Sequence, residues 1–124
     1  MIPGFYTELE VEPADEFDDN LWRVMANFNY YSGVLNRAVI VPAGFVTDFA
    51  SVPRIPLAYE LCGAKANKAS VIHDYLYSVG NICTRAQADA VFKEAMQISG
   101  VPAWRRNIMW AGVRAFGGSH FGRP

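Results

Sequence analysis

The sequence predicts an α+β fold. It comprises a small N-terminal antiparallel sheet over about residues 1–47, an irregular stretch over 48–64, and three helices at about 65–79, 84–99 and 102–116. Three observations carry that prediction. Polar and apolar residues alternate with a period of two in the first third of the chain. Pro53 and Pro56 then forbid a long helix. Beyond them, apolar residues recur at helical spacing behind recognisable capping signals.

The strands come first. Thr7, Leu9 and Val11 alternate with Glu8, Glu10 and Glu12, which gives one wet face. Asp15 to Asn20 is a polar loop. Trp22, Val24, Ala26, Phe28 and Tyr30 alternate with Arg23, Met25, Asn27 and Asn29, which reads as one long strand. Tyr31-Ser32-Gly33 signals a turn, Ala38 to Val41 a short strand, Pro42-Ala43-Gly44 another turn and Phe45 to Thr47 a last extension. Short loops between successive strands favour an antiparallel meander.

The helices follow. Gly80 suits the left-handed residue that ends helix one. Thr84-Arg85-Ala86-Gln87 is a capping box opening helix two, which ends at Gly100. Pro102 suits the first turn of helix three, and Gly117-Gly118 stops it. The tail Ser119 to Pro124 is expected to be loose. Helix three is nearly all apolar. Trp104, Ile108, Ala111 and Ala115 form one stripe, with Met109, Gly112, Val113 and Phe116 beside it and arginines at one edge. Two readings stand: a core helix, or an exposed patch that meets a partner subunit or lipid.

Composition narrows the class. A chain of 124 residues is one domain, residues 1–124, large enough to bury roughly two thirds of its unfolded surface. Its residues are 52% hydrophobic and 19% charged, which excludes a disordered chain. No apolar run approaches the ~20 residues of a membrane span, and Met1 to Tyr6 lacks the basic and apolar regions of a secretory signal. Cys62 and Cys83 permit at most one bridge and are expected as free thiols. The charge is −1 overall, but seven of twelve acids lie in the first nineteen residues (Glu8, Glu10, Glu12, Asp15, Glu16, Asp18, Asp19). From Val101 onward there are four arginines (Arg105, Arg106, Arg114, Arg123) and no acid. Such ends are either plain solvated surfaces or faces that meet oppositely charged neighbours in an assembly. A pI near 6.1 and the lack of a basic stripe interleaved with aromatics argue against nucleic acid as a partner.

The chemistry concentrates in His73-Asp74-Tyr75-Leu76-Tyr77 on helix one and Asp89 on helix two. His73 stands eight residues before Asn81, the centre of the helix connection, and Asp89 eight after it. In an antiparallel helix pair those positions lie at one level, so the two side chains can meet. A carboxylate on one ring nitrogen fixes the tautomer and leaves the other nitrogen to act as a general base toward water. Tyr77, four residues after His73, shares its helix face. Asp74 points elsewhere and suits a hard cation such as calcium, with loop carbonyls completing the shell. A histidine–aspartate pair of this kind is also, often, a buried polar contact that registers two helices.

The pattern Asp48-x-x-Ser51-x-Pro53, His73-Asp74-x-x-Tyr77 and Asp89-x-x-Phe92-x-x-x-Met96, with the late stretch Trp110 to Gly117, resembles the core of the bacterial and fungal secreted phospholipase A(2) enzymes over about residues 48–117. That resemblance implies His73 as the base, Asp89 as its orienting partner, Tyr77 as a brace, Asp74 as a calcium ligand and Asp48 on the calcium-side loop. Ser70 stands where those enzymes usually carry a cysteine. Over nearly the whole chain, the stretches Val41 to Arg54, Ala69 to Tyr77 and Arg85 to Phe92 more closely resemble a bacteriophage and prophage family, domain-of-unknown-function family 1353. That resemblance implies a tailed-phage origin, synthesis in the host cytoplasm and a place in the virion or tail. The expected partners are other phage structural proteins, further copies of the chain, or membrane lipid. Two functions follow: a calcium-assisted, phospholipase-like hydrolase of a lipid or envelope ester, or a non-catalytic tail or baseplate protein that retains the fold.

Overall fold

The computed structural model describes residues 1–18, 20–48 and 66–122. Residues 49–65, where an irregular stretch was expected and which include Ser51, Pro53 and Cys62, lie outside the described residues, as do Asp19, Arg123 and Pro124. The α+β class holds, with strands first and helices after. Among the described residues, the strands are β1 (Gly4–Phe5), β2 (Val11–Pro13), β3 (Trp22–Val24), β4 (Phe28–Ser32), β5 (Arg37–Val41) and β6 (Val46–Thr47). The described helices are α1 (Asn67–Val79), α2 (Arg85–Ile98) and α3 (Ala103–Phe116). Among the described residues, no helix is long and apolar enough to cross a membrane.

The strands form two three-stranded antiparallel sheets rather than one meander. Their orders are β1-β4-β5 and β2-β3-β6. The strand expected over 22–30 is therefore two strands. The break falls at Asn27, whose side-chain carbonyl accepts the Ala43 N–H at 2.9 Å while its backbone carbonyl takes the Thr7 hydroxyl. An asparagine that bonds backbone in this way competes with the sheet ladder. Thr7 to Glu10 leaves the ladder for a related reason. The chain crosses there from one sheet to the other, and the Thr7 hydroxyl accepts the Asn29 N–H at 2.8 Å.

Alternation does set which side chains are buried. Phe28, Tyr30 and Ser32 on β4 face the core with Val39 and Val41 on β5, in a register that opposes Phe28 to Val41 and Tyr30 to Val39. The helices cover this layer: α1 packs on β5 and β6, α2 on β4, α1 on α2, and α2 on α3. Ile72, Leu76, Val91, Phe92 and Met96 fill the space between sheets and helices.

One carboxylate fastens α2 to the β4–β5 turn. Glu94 accepts the Tyr30 hydroxyl at 2.6 Å and the Gly33 and Val34 N–H groups at 3.2 and 3.0 Å. Burial, then this bond, holds the Tyr30 phenol well above the usual tyrosine range. Glu94→Gln puts an amide NH2 among donors, and it is expected to lower stability by about 1–3 kcal/mol, measured by urea unfolding.

The helix ends match the capping signals. Thr84 and Gln87 exchange both capping-box bonds, at 3.1 and 2.9 Å. Gly80 is left-handed, at φ 72°, and caps α1 through Leu76. Pro102 sits one residue before α3 rather than in its first turn, because its ψ of 151° is extended. The tail expected to be loose is held as far as Gly122, whose N–H donates to the Tyr77 carbonyl at 2.7 Å, while Phe121 packs edge-on against the Tyr77 ring. A Cβ on Gly80 would lie 2.5 Å from the Gly122 Cα, so the contact depends on glycine.

Candidate active site

The caps at Gly80 and Thr84 fix where α2 starts relative to α1, and with it the level at which their side chains meet. The hairpin brings His73 and Asp89 together: His73 Nε2 lies 2.7 Å from Asp89 Oδ1. Tyr77, one turn further along α1, donates its hydroxyl to the same oxygen at 2.5 Å. All three expected catalytic residues therefore converge. His73 is 2% exposed and Asp89 is fully buried. The imidazole also packs against the rings of Tyr77 and Phe92, at centroid distances of 4.2 and 4.6 Å. Phe92 is three residues after Asp89, so one face of α2 supplies both the carboxylate and the ring against the histidine.

Two arginines complete the network, and the sequence reading gave neither a role in it. Arg114, on α3, donates to Asp89 Oδ2 at 2.8 Å. Arg85, in the first turn of α2, donates from Nε to the Tyr77 hydroxyl at 3.2 Å, and from Nη2 to the Val113 and Arg114 carbonyls at 2.7 and 2.6 Å. Arg85 thus places a cation against the carbonyl end of α3, where the helix dipole favours it. The signal for Arg114 was the arginine edge of helix three, and Arg85 stood only as a residue of the capping box that opens helix two. Spacing alone does not say which arginine faces α2.

The electrostatics follow from these contacts. Burial by itself would raise the Asp89 pKa. The bonds from His73, Tyr77 and Arg114 outweigh it and hold the carboxyl below its ordinary range. Asp89 is therefore ionised at neutral pH and can only accept. In the neutral imidazole His73 Nε2 must then carry the proton, and Nδ1 the lone pair. The Tyr77 phenol is pushed up to about 12, by burial first and then by its bond to Asp89, against the opposing effect of Arg85.

Asp74 takes a separate place. Its Oδ2 accepts the Thr47 hydroxyl at 2.5 Å, which ties α1 to the end of β6. Asp48 follows Thr47 directly in the chain. These are hard carboxylates of the kind calcium prefers. Among the described residues, though, no group of three or more histidine, cysteine, aspartate or glutamate side chains is placed to hold an ion. Calcium takes 6–8 oxygens, more than Asp74 and Asp48 supply by themselves. Cys83 is a free, half-buried thiol, and burial raises its pKa away from reactivity.

A helical hairpin that buries a histidine–aspartate pair, braced by a third helix and backed by two small sheets, defines a compact α+β domain with one concentrated polar centre. The model of the family described as protein of unknown function, DUF1353, matches residues 22–113, and the chain belongs to that family. No curated protein and no solved structure matches it. The matched residues contain His73, Tyr77, Arg85 and Asp89, and Arg114 lies one residue beyond the end of the match.

Proposed function

We propose that this is a bacteriophage or prophage protein, associated with the virion or tail, that hydrolyses an ester of a lipid or another envelope component in the manner of a phospholipase. The observation that carries the reading is the 2.7 Å contact between His73 Nε2 and Asp89 Oδ1, with Tyr77 on the same oxygen. This is the arrangement that the phospholipase-like residue pattern calls for. His73 Nδ1 takes a proton from water, and the water oxygen attacks the ester carbonyl. The tetrahedral adduct then expels the alcohol, which leaves with the proton returned by His73. Ester and water become acid and alcohol. Asp89 holds the tautomer and stabilises the imidazolium, while Tyr77 and Arg114 hold Asp89. Asp74, with Asp48 on the adjoining loop, would hold a calcium ion, which would polarise the ester carbonyl, and the need for it is tested separately.

Burial favours a second reading. A fully enclosed Asp89 and a His73 that is 2% exposed are what a structural polar centre looks like. In that case the protein is a tail or baseplate component whose three helices are registered by the network, and its partners are other structural proteins or further copies of itself.

The deciding experiment is fatty-acid release from mixed phospholipid vesicles by the natural chain, His73→Ala and Asp89→Asn, each with calcium and with chelator, and each checked for folding by circular dichroism. Release by the natural chain that stops in both folded variants is the expected result, and loss in chelator assigns the metal. No release from a folded natural chain in either condition overturns the hydrolase and leaves the structural reading.

A further inference from the structure

The outermost helix turns its apolar stripe the wrong way for a soluble domain. At 100° per residue, Trp104, Ile108, Ala111 and Ala115 fall within about 60° of one another on α3. The buried residues of α3 are Met109 and Val113, on the opposite side. The stripe is open instead: Trp104 is 50% exposed and Ile108 58%, with Ala111 and Ala115 also exposed, and Phe116, off the stripe at the last turn, is 82% exposed. The sequence expectation of a core helix is thus met by the other stripe only.

Charge identifies what this face suits. From Val101 onward the chain has four arginines and no acid. Arg105 flanks the stripe, its guanidinium 5.0 Å from the Trp104 ring centroid. A helix with Trp and Ile outward, an arginine flanking them and no acid of its own is complementary to a fluid, anionic surface.

We propose that the Trp104–Ile108–Ala111–Ala115 face of α3, with Phe116 and Arg105, seats this protein on an anionic phospholipid membrane. As the docking face of a lipid hydrolase it rests on the reading above, but it is measured without turnover.

The test is co-sedimentation of the full chain with vesicles of ether-linked phospholipid, which carry no ester to cut. One set contains phosphatidylglycerol with phosphatidylcholine, the other phosphatidylcholine alone. The natural chain is expected to bind the anionic vesicles, more weakly at high salt, with a blue shift in tryptophan emission. The double variant Trp104→Ser/Ile108→Ser is expected to bind at least tenfold more weakly, and Arg105→Glu to lose the preference for anionic lipid. All the replaced side chains lie outside the buried core, so folding is expected to persist and is verified by circular dichroism. Three results overturn the proposal: no binding to either vesicle, equal binding by the folded double variant, or a concentration-dependent dimer that the double variant abolishes, which assigns the face to a second copy. Binding without ester hydrolysis sinks only the hydrolase, whereas hydrolysis of dispersed lipid without vesicle binding sinks only the docking face.

Discussion

Asp89→Ala is expected to lower the stability of the fold by about 3–5 kcal/mol, read as a shift in the urea midpoint at unchanged slope. The size follows from what is left behind. Asp89 is fully buried and accepts from three side chains on two other helices: His73 and Tyr77 on α1 and Arg114 on α3. Alanine strands all three donors. Arg114 is partly exposed, and water can serve it. His73 and Tyr77 are buried and lose their acceptor with little water to replace it. Asp89→Asn keeps the shape and one acceptor oxygen, so it is expected to cost less. The same group sets an acid dependence. Its carboxyl has a lower pKa folded than in the unfolded chain, where the value is about 3.9. Its contribution is therefore complete above the unfolded value and disappears as the pH falls through the folded one. Between pH 5 and 2 the natural chain should lose more stability than Asp89→Asn does, and parallel curves would mean that the network around Asp89 carries no net charge effect.

This centre was readable to different depths at different residues. The count of eight residues on each side of Asn81 placed His73 against Asp89 because hairpin level depends only on local caps, and Gly80 and Thr84 are strong ones. Tyr77 followed from helical spacing. Arg114 and Arg85 did not, because their contacts depend on how α3 lies across α2, which no local pattern records. The orientation of α3 was hidden for a related reason: both of its stripes are apolar, so periodicity names two faces and packing chooses between them. In the sheet region, alternation correctly marked Val24, Phe28 and Tyr30 as inward, but it ran on through Asn27. There a side-chain amide diverts the chain into a second sheet. The calls on Ser51, Pro53 and Cys62 fall outside the described residues.

Phe92→Ala is expected to cost a further about 3–5 kcal/mol in its own right, with a fall in thermal midpoint on the order of 10–20 °C. Phe92 is fully buried in the layer between the helices and the sheets, so truncation loses apolar burial and opens a cavity. The position of that cavity is what makes the variant informative. The Phe92 ring lies 4.6 Å from the His73 imidazole, which already bonds through Nε2 to Asp89 and packs on Tyr77. Removing the ring leaves the hydrogen bond in place but frees the imidazole to tilt about it. Phe92→Leu restores most of the volume and is expected to recover most of the stability, because near-isosteric apolar swaps in a core cost less than truncation. It does not restore the flat surface against the imidazole. The pair of variants therefore separates packing from orientation. If His73 works as a base, Phe92→Leu should be nearly as stable as the natural chain yet slower in ester hydrolysis, because the base is held less firmly toward its water. If the histidine only registers the helices, the ring matters through its volume alone, and Phe92→Leu should match the natural chain in every property measured.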